Sequence, residues 1–285
     1  MTASGPSSEP SRRGPSWTDL GPRVLSAIVL TAIIAVGLYF GGYVWSALAA
    51  AVFALTYREW ERMVTLKPLA PMGVALIGVL AAAALVFPAF GPLGTVAVMT
   101  GGIVVALFGE SAARPWRVGG LAFFGLVLVA VLGMRGTGTA GIVAGWYLGV
   151  VIASNDTGAF FVGRMIGGAR LAPMISPAKT VSGAVGGWLI GTTAGSLFWW
   201  LFVSTSPLWI GILFSGAIGL AGQFGDLTES AVKRIFRVKD SGDMIPGHGG
   251  LMDRLDSVSF GILLLFVIGV SRGGFADVAG GFLYW

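Results

Sequence analysis

Asp226-Leu-Thr-Glu-Ser-Ala-Val-Lys-Arg-Ile-Phe-Arg-Val-Lys-Asp-Ser-Gly-Asp-Met-Ile-Pro-Gly-His-Gly-Gly-Leu-Met-Asp-Arg-Leu-Asp256 is the stretch around which the chain is organised. Six of the 13 acidic residues lie in it (Asp226, Glu229, Asp240, Asp243, Asp253 and Asp256), with five of the 18 basic ones and the single histidine, His248. Apolar runs flank it on both sides. Charge beside a bilayer is costly and is usually kept for function. The stretch therefore marks both the edge of a membrane domain and the place to look for chemistry.

Composition sets the class. The chain is 55% hydrophobic and 11% charged, with a mean hydropathy of +0.85. A soluble domain carries about 25% charged residues, so this is an integral membrane protein. There is no cysteine, which excludes disulfides and thiolate metal sites. One histidine argues against a His-rich zinc site or a haem bundle. The net charge of +5 does not point to nucleic acid, because its arrangement fits membrane topology better.

Residues 1–22, rich in Ser, Pro, Gly and Arg, read as a disordered tail. They do not form a typical signal peptide, because the first apolar run starts late and lacks a clear cleavage site. Two further regions are expected: N-terminal transmembrane helices over 23–139, and a transmembrane catalytic region over 140–285. Apolar runs at 24–40, 43–57, 70–88, 92–109, 118–134, 140–163, 181–203, 207–225 and 255–271 give an all-α polytopic fold with about nine spans. With the N-terminus in the cytoplasm, 16 Lys and Arg fall on the inner side and only Arg135 and Arg272 on the outer. A wrong span count would scramble that split. The C-terminus then lies on the opposite side, and the polar loops 164–180 and 226–254 face the cytoplasm together. Gly183, Gly187, Gly191 and Gly195, and likewise Gly141, Gly145 and Gly149, recur at i+4 and predict close helix packing within the chain. The ten tryptophans read mainly as interfacial anchors.

If the span before Asp226 continues as helix, Asp226, Glu229, Ser230 and Lys233 share one face at i, i+3, i+4 and i+7. Asp253 and Asp256 are i, i+3 at the entry to the last span. Carboxylates from two helix ends with few other ligand types suit Mg²⁺, which takes oxygen ligands and keeps waters for substrate phosphates. Lys233, Arg234, Lys239 and Arg254 can neutralise phosphate oxygens beside it. Pro246-Gly-His-Gly-Gly250 reads as a turn whose amides could cradle phosphate. Taken alone, His248 there is better explained as a hydrogen-bonding loop residue. Asp156 lies inside an apolar span and is a functional hypothesis by position. Ser176-Pro-Ala-Lys179 precedes a helix N-terminus, where anions are favoured. Arg58, Glu59, Glu61 and Arg62 read as a solvated helix end without function, and Glu110 and Asp277 receive the same reading.

The stretch from Ser230 to Asp256 resembles the signature of the phosphatidate cytidylyltransferase family, also called CDP-diacylglycerol synthases. Asp156-Thr-Gly-Ala-Phe-Phe-Val-Gly-Arg164 and Ser176-Pro-Ala-Lys-Thr180 are similar to that family's other cytoplasmic-side motifs. The resemblance covers residues 140–271; Ser182 departs from the acidic or amide residue of many relatives. It implies a bacterial inner-membrane enzyme that makes CDP-diacylglycerol and pyrophosphate from CTP and phosphatidate. It implies Mg²⁺ in a two-cation centre whose second ion is K⁺ or Mg²⁺, and a homodimer in the lipid bilayer. Carried onto this chain, Asp226 and Asp253 are the foremost metal ligands, followed by Asp256. Lys233 and Asp156 join them as catalytic candidates. Ser176, Lys179, Ser230, Arg234, Lys239, Asp240, His248 and Arg254 are the substrate-binding candidates. Two rivals stand beside this reading: another CTP-dependent membrane transferase, and a transporter coupled through Asp156. The second is disfavoured because no internal repeat is evident and the charges gather on one face.

Overall fold

A computed structural model describes residues 20–242 and 250–285. The expected tail lies outside the described residues except for its last three, which open α1 (Leu20–Phe40). His248 and Asp243 also lie outside them. The chain reverses at Gly41 and Gly42, both with positive φ, into α2 (Gly42–Thr65). Next come α3 (Pro71–Leu107), α4 (Arg114–Arg135) and α5 (Thr139–Ile166). A short hairpin, β1 (Arg170–Ala172) and β2 (Ser176–Thr180), leads into α6 (Val181–Phe202), α7 (Leu208–Ile235), α8 (Met252–Gly273) and α9 (Val278–Leu283).

Among the described residues, four helices are long and apolar enough to cross a membrane: α3, α4, α7 and α8. The runs expected at 70–88 and 92–109 are the two arms of α3. It breaks at Gly91 (φ 62°, ψ −159°), between Pro88 and Pro92, a conformation open essentially to glycine alone. Thr95 Oγ1 donates to the Ala83 carbonyl at 2.9 Å, and a Cβ on Gly102 would lie 2.4 Å from Val79, so the arms run back against each other.

The loop expected over 164–180 contains the antiparallel β1–β2 pair, with Arg170 opposite Thr180 and Ala172 opposite Ser176. This corrects the all-α reading locally. Strands of three and five residues, with Pro173 in the turn between them and Pro177 inside the second, leave almost no alternating pattern to detect.

Glycine spacing is informative in one helix and not in the other. Cβ atoms on Gly183, Gly187 and Gly191 would fall 2.5–3.0 Å from the carbonyls of Ala159, Asn155 and Val151, so α6 lies directly on the α5 backbone. Gly141 instead meets the Arg135 backbone, Gly145 meets Leu38, and Gly149 has nothing within 4 Å. The tryptophans are not all interfacial either. Trp199 is fully buried, and Trp45, Trp60 and Trp188 donate indole N–H groups to carbonyls of neighbouring helices.

The reading of Glu59 and Glu61 as a solvated helix end is overturned. The helix continues to Thr65, and both side chains turn inward, Glu59 3% and Glu61 1% exposed. Glu61 accepts two hydrogen bonds from Arg117 Nε at 3.0 and 3.1 Å, joining α2 to α4. Arg117 itself is 3% exposed. Removing one member of a dry pair strands the other charge, at a cost of about 3–5 kcal/mol. Arg117→Leu is therefore expected to lower Tm sharply in detergent. The double variant Arg117→Leu/Glu61→Met should recover most of the loss; equal losses in both would refute the pairing argument. Glu110 remains surface-exposed, paired with Lys67 at 3.2 Å. Asp277 is exposed and caps α9 through Gly280 N.

Candidate active site

Helix α7 runs ten residues past the expected end of its span, to Ile235, and this carries Asp226, Glu229, Ser230 and Lys233 on one helical face. Helix α8 begins at Met252, so Asp253 stands in its first turn and Asp256 one turn later. The two helices approach closely at Gly225, where a Cβ would lie 2.5 Å from the Asp256 carbonyl. That approach is what joins the two sets of carboxylates.

Asp226, Glu229 and Asp256 each offer a carboxylate oxygen, all within 4.8 Å of one another. Glu229 Oε2 accepts from Lys233 Nζ at 3.2 Å, while its buried Oε1 has no hydrogen-bond partner among the described residues. A buried acceptor without a donor costs free energy, and three crowded carboxylates repel. Both penalties are relieved by a cation, and an oxygen-only donor set is what Mg²⁺ takes. Asp253 stands outside this trio. Its Oδ1 accepts from Lys233 Nζ at 2.7 Å, and its Oδ2 from the amides of Gly250 (3.0 Å) and Ser241 (3.3 Å). Glu229 takes the place beside Asp226 and Asp256 where Asp253 was expected. The sequence signal for Glu229 is its i+3 spacing from Asp226.

The opposite wall comes from α5, α6 and the hairpin. Asp156 is exposed on α5 and accepts from Asn155 Nδ2 at 3.4 Å. Asn155 is fully buried, and its Oδ1 accepts from Gln223 Nε2 at 3.0 Å. Gln223 also donates to the Ala184 carbonyl at 2.8 Å, so a polar chain from α6 and α7 orients the carboxylate. Gln223 is not among the residues expected from the sequence, because a lone amide in an apolar helix carries no motif. Lys179, on β2, forms an ion pair with Asp226. Thr180 caps α6 by accepting from Gly183 N at 3.1 Å.

These walls enclose a cavity of about 800 Å³. Asp156, Lys179, Asp226, Lys233, Asp240, Asp253, Arg254 and Asp256 all line it, as do Arg164 and Arg170. Five aspartates and five Lys or Arg side chains thus face one space, a lining able to take phosphates and a cation together. Ser176, Ser230, Arg234 and Lys239 are not part of the lining. Ser230 is buried, 8% exposed, in α7. Arg234 donates to the carbonyls of Ile175 (3.0 Å) and Val238 (3.1 Å), tying α7 to the hairpin. Lys239 is exposed.

The sequence profile of the cytidylyltransferase family matches residues 21–271. This chain belongs to the cytidylyltransferase family. Relatives within it include proteins named phosphatidate cytidylyltransferase. That of Brucella melitensis is 32% identical over 256 residues, covering 88% of this chain and 94% of its own length. That of Bacillus subtilis is 38% identical over 146 residues, 51% of this chain and 54% of its own. That of Helicobacter pylori is 40% identical over 163 residues, 56% of each. The family match extends well upstream of residue 140 and takes in α2, α3 and α4.

Proposed function

We propose that this cytidylyltransferase-family chain is a phosphatidate cytidylyltransferase: it transfers the cytidylyl group of CTP to phosphatidate, giving CDP-diacylglycerol and pyrophosphate for phospholipid synthesis. The observation that carries the reading is the Asp226–Glu229–Asp256 trio, two of whose members, Asp226 and Asp256, line a cavity that also presents Lys179, Lys233 and Arg254.

The chemistry asks for positioning more than for a base. The phosphate of phosphatidate is already anionic, so its oxygen attacks the α-phosphorus of CTP without first losing a proton to the protein. A new P–O bond forms, the bond to the β-phosphate breaks, and pyrophosphate leaves with the electron pair. Lys179 and Arg254 neutralise phosphate oxygens drawn into the cavity, which favours the more charged transition state. Lys233, held between Asp253 and Glu229, presents a fixed positive charge at the junction of α7 and α8. Asp226, Glu229 and Asp256 would hold Mg²⁺, which when bound supplies charge neutralisation and polarises the phosphoryl group. A second cation, K⁺ or Mg²⁺, is part of the proposal, as are catalysis by region 140–285 and a homodimer.

We place the protein in a bacterial inner membrane, with about nine passes, N-terminus inside and the cavity facing the cytoplasm. The 16-to-2 division of Lys and Arg favours this orientation. The chain lacks cysteine, so single cysteines can report it directly. A cysteine replacing Lys67 should react with a membrane-impermeant maleimide only in inverted vesicles, and one replacing Thr137 only in whole spheroplasts. The reverse pattern would overturn the orientation.

The test of function is transfer of label from radioactive CTP into the organic phase. Purified protein with phosphatidate and Mg²⁺ should produce labelled lipid, and EDTA should abolish it. Folded protein that labels no lipid from phosphatidate would refute the proposal.

A further inference from the structure

Glu59 is a buried carboxylate near the cavity that the scheme above leaves unused. It sits on α2, is 3% exposed, and does not line the cavity. Its Oε1 accepts from Leu251 N at 2.9 Å; its Oε2 accepts from Met252 N at 2.9 Å and from Ser241 Oγ at 3.1 Å. Those amides open α8. The N-cap residue of α8 is Leu251, whose side chain has no acceptor, and among the described residues no local side chain caps the helix. Glu59 supplies from 192 residues away what a local Ser or Asp would ordinarily supply. A carboxylate there is also favoured by the helix dipole.

The fit around it is tight. A Cβ on Gly242 would fall 2.9 Å from Glu59 Oε1, and one on Gly250 would fall 2.7 Å from Oε2. The chain therefore brings residues 241–242 and 250–252 together on one carboxylate. Asp253 grips two of the same residues from its own side, accepting from Ser241 N and Gly250 N, and passes directly to Lys233. The contacts run without a break from Glu59 through the start of α8 to Asp253, Lys233 and Glu229.

We propose that Glu59 is a positioning residue for cytidylyl transfer: from α2 it caps α8 and so sets where Asp253 and Asp256 stand. The inference rests on the reading of the cavity as the site of that reaction. Glu59→Gln keeps the size of the side chain but replaces one accepting oxygen with a donor that opposes the α8 amides. Ser241→Ala removes one of the three hydrogen bonds that described residues donate to Glu59 and leaves the carboxylate intact.

The experiment compares full-length wild type, Glu59→Gln and Ser241→Ala in detergent with phosphatidate, CTP and Mg²⁺. It reads kcat, KM for CTP, Tm, and hydrogen exchange of the peptide spanning Leu251–Asp256. For Glu59→Gln, kcat should fall about 10- to 100-fold with KM within about 3-fold of wild type. Exchange should accelerate in the α8 peptide and not elsewhere. Ser241→Ala should move kcat and exchange the same way by less. Faster exchange with kcat within about 2-fold of wild type would make Glu59 a structural cap only and overturn the proposal. If Glu59→Gln does not fold, Ser241→Ala decides alone: reduced kcat at unchanged Tm supports positioning, and wild-type kcat overturns it. An inactive wild type would instead refute the functional reading, and positioning for this reaction would fall with it.

Discussion

Glu229→Gln is expected to give a folded protein that turns over on the order of 10³-fold more slowly and requires more Mg²⁺. The carboxylate is nearly buried, its Oε2 is held by Lys233, and its Oε1 has no donor in reach among the described residues. The amide keeps the shape and removes the charge. An amide nitrogen cannot ligate a cation, and it would point a donor at Asp226 or Asp256, whose oxygens lie within 4.8 Å. Stability should hold or rise, because three crowded anions become two. Lys233 keeps Asp253 as its partner at 2.7 Å. The measurement is initial rate against Mg²⁺ concentration, with Tm in parallel. A Mg²⁺ titration that superimposes on wild type would remove Glu229 from the ligand set. Asp226→Asn should shift the titration the same way, and it also releases Lys179 from its ion pair.

Features that repeat locally are legible in the sequence. The i, i+3 spacing of Asp226 and Glu229, and of Asp253 and Asp256, is enough by itself to place carboxylates at two helix ends. The Gly183–Gly191 series is a true seam because α5 supplies its own close backbone at the matching heights, whereas Gly195 meets the side chains of Val151 and Ser215. Gly141, Gly145 and Gly149 have the same spacing without a common partner, and spacing alone does not say what lies opposite. The α3 fold-back can be read as two apolar runs because Pro88, Gly91 and Pro92 punctuate it.

Features that depend on contacts between distant residues are not legible. Glu59 and Glu61 sit among Arg58 and Arg62 and look like any charged helix end. Their partners are Leu251 and Met252 in one case and Arg117 in the other, none of them near in sequence. The division of roles between Glu229 and Asp253 is hidden for the same reason. Both are carboxylates one turn from another carboxylate, and the difference lies in which of them meets the lysine and the amides of Ser241 and Gly250 at its best geometry.

That division is testable through Asp253→Asn. Lys233 is 8% exposed, and its contact to Asp253 is shorter than its contact to Glu229, 2.7 against 3.2 Å. Neutralising Asp253 leaves the ammonium with the weaker partner alone. It also replaces one accepting oxygen with a donor, which faces either Lys233 or the amides of Ser241 and Gly250. A loss of about 2–3 kcal/mol in stability is expected, below the full cost of a dry pair because Glu229 remains. Turnover should fall on the order of 10²-fold, since the α8 entry and the lysine lose their common anchor. The Mg²⁺ concentration for half-maximal rate should stay within about 3-fold of wild type, in contrast to Glu229→Gln. Adding Lys233→Met to Asp253→Asn should restore most of the stability, because no charge is then stranded, and none of the activity. An Mg²⁺ requirement raised as far by Asp253→Asn as by Glu229→Gln would make Asp253 a cation ligand and refute its role as the anchor of Lys233.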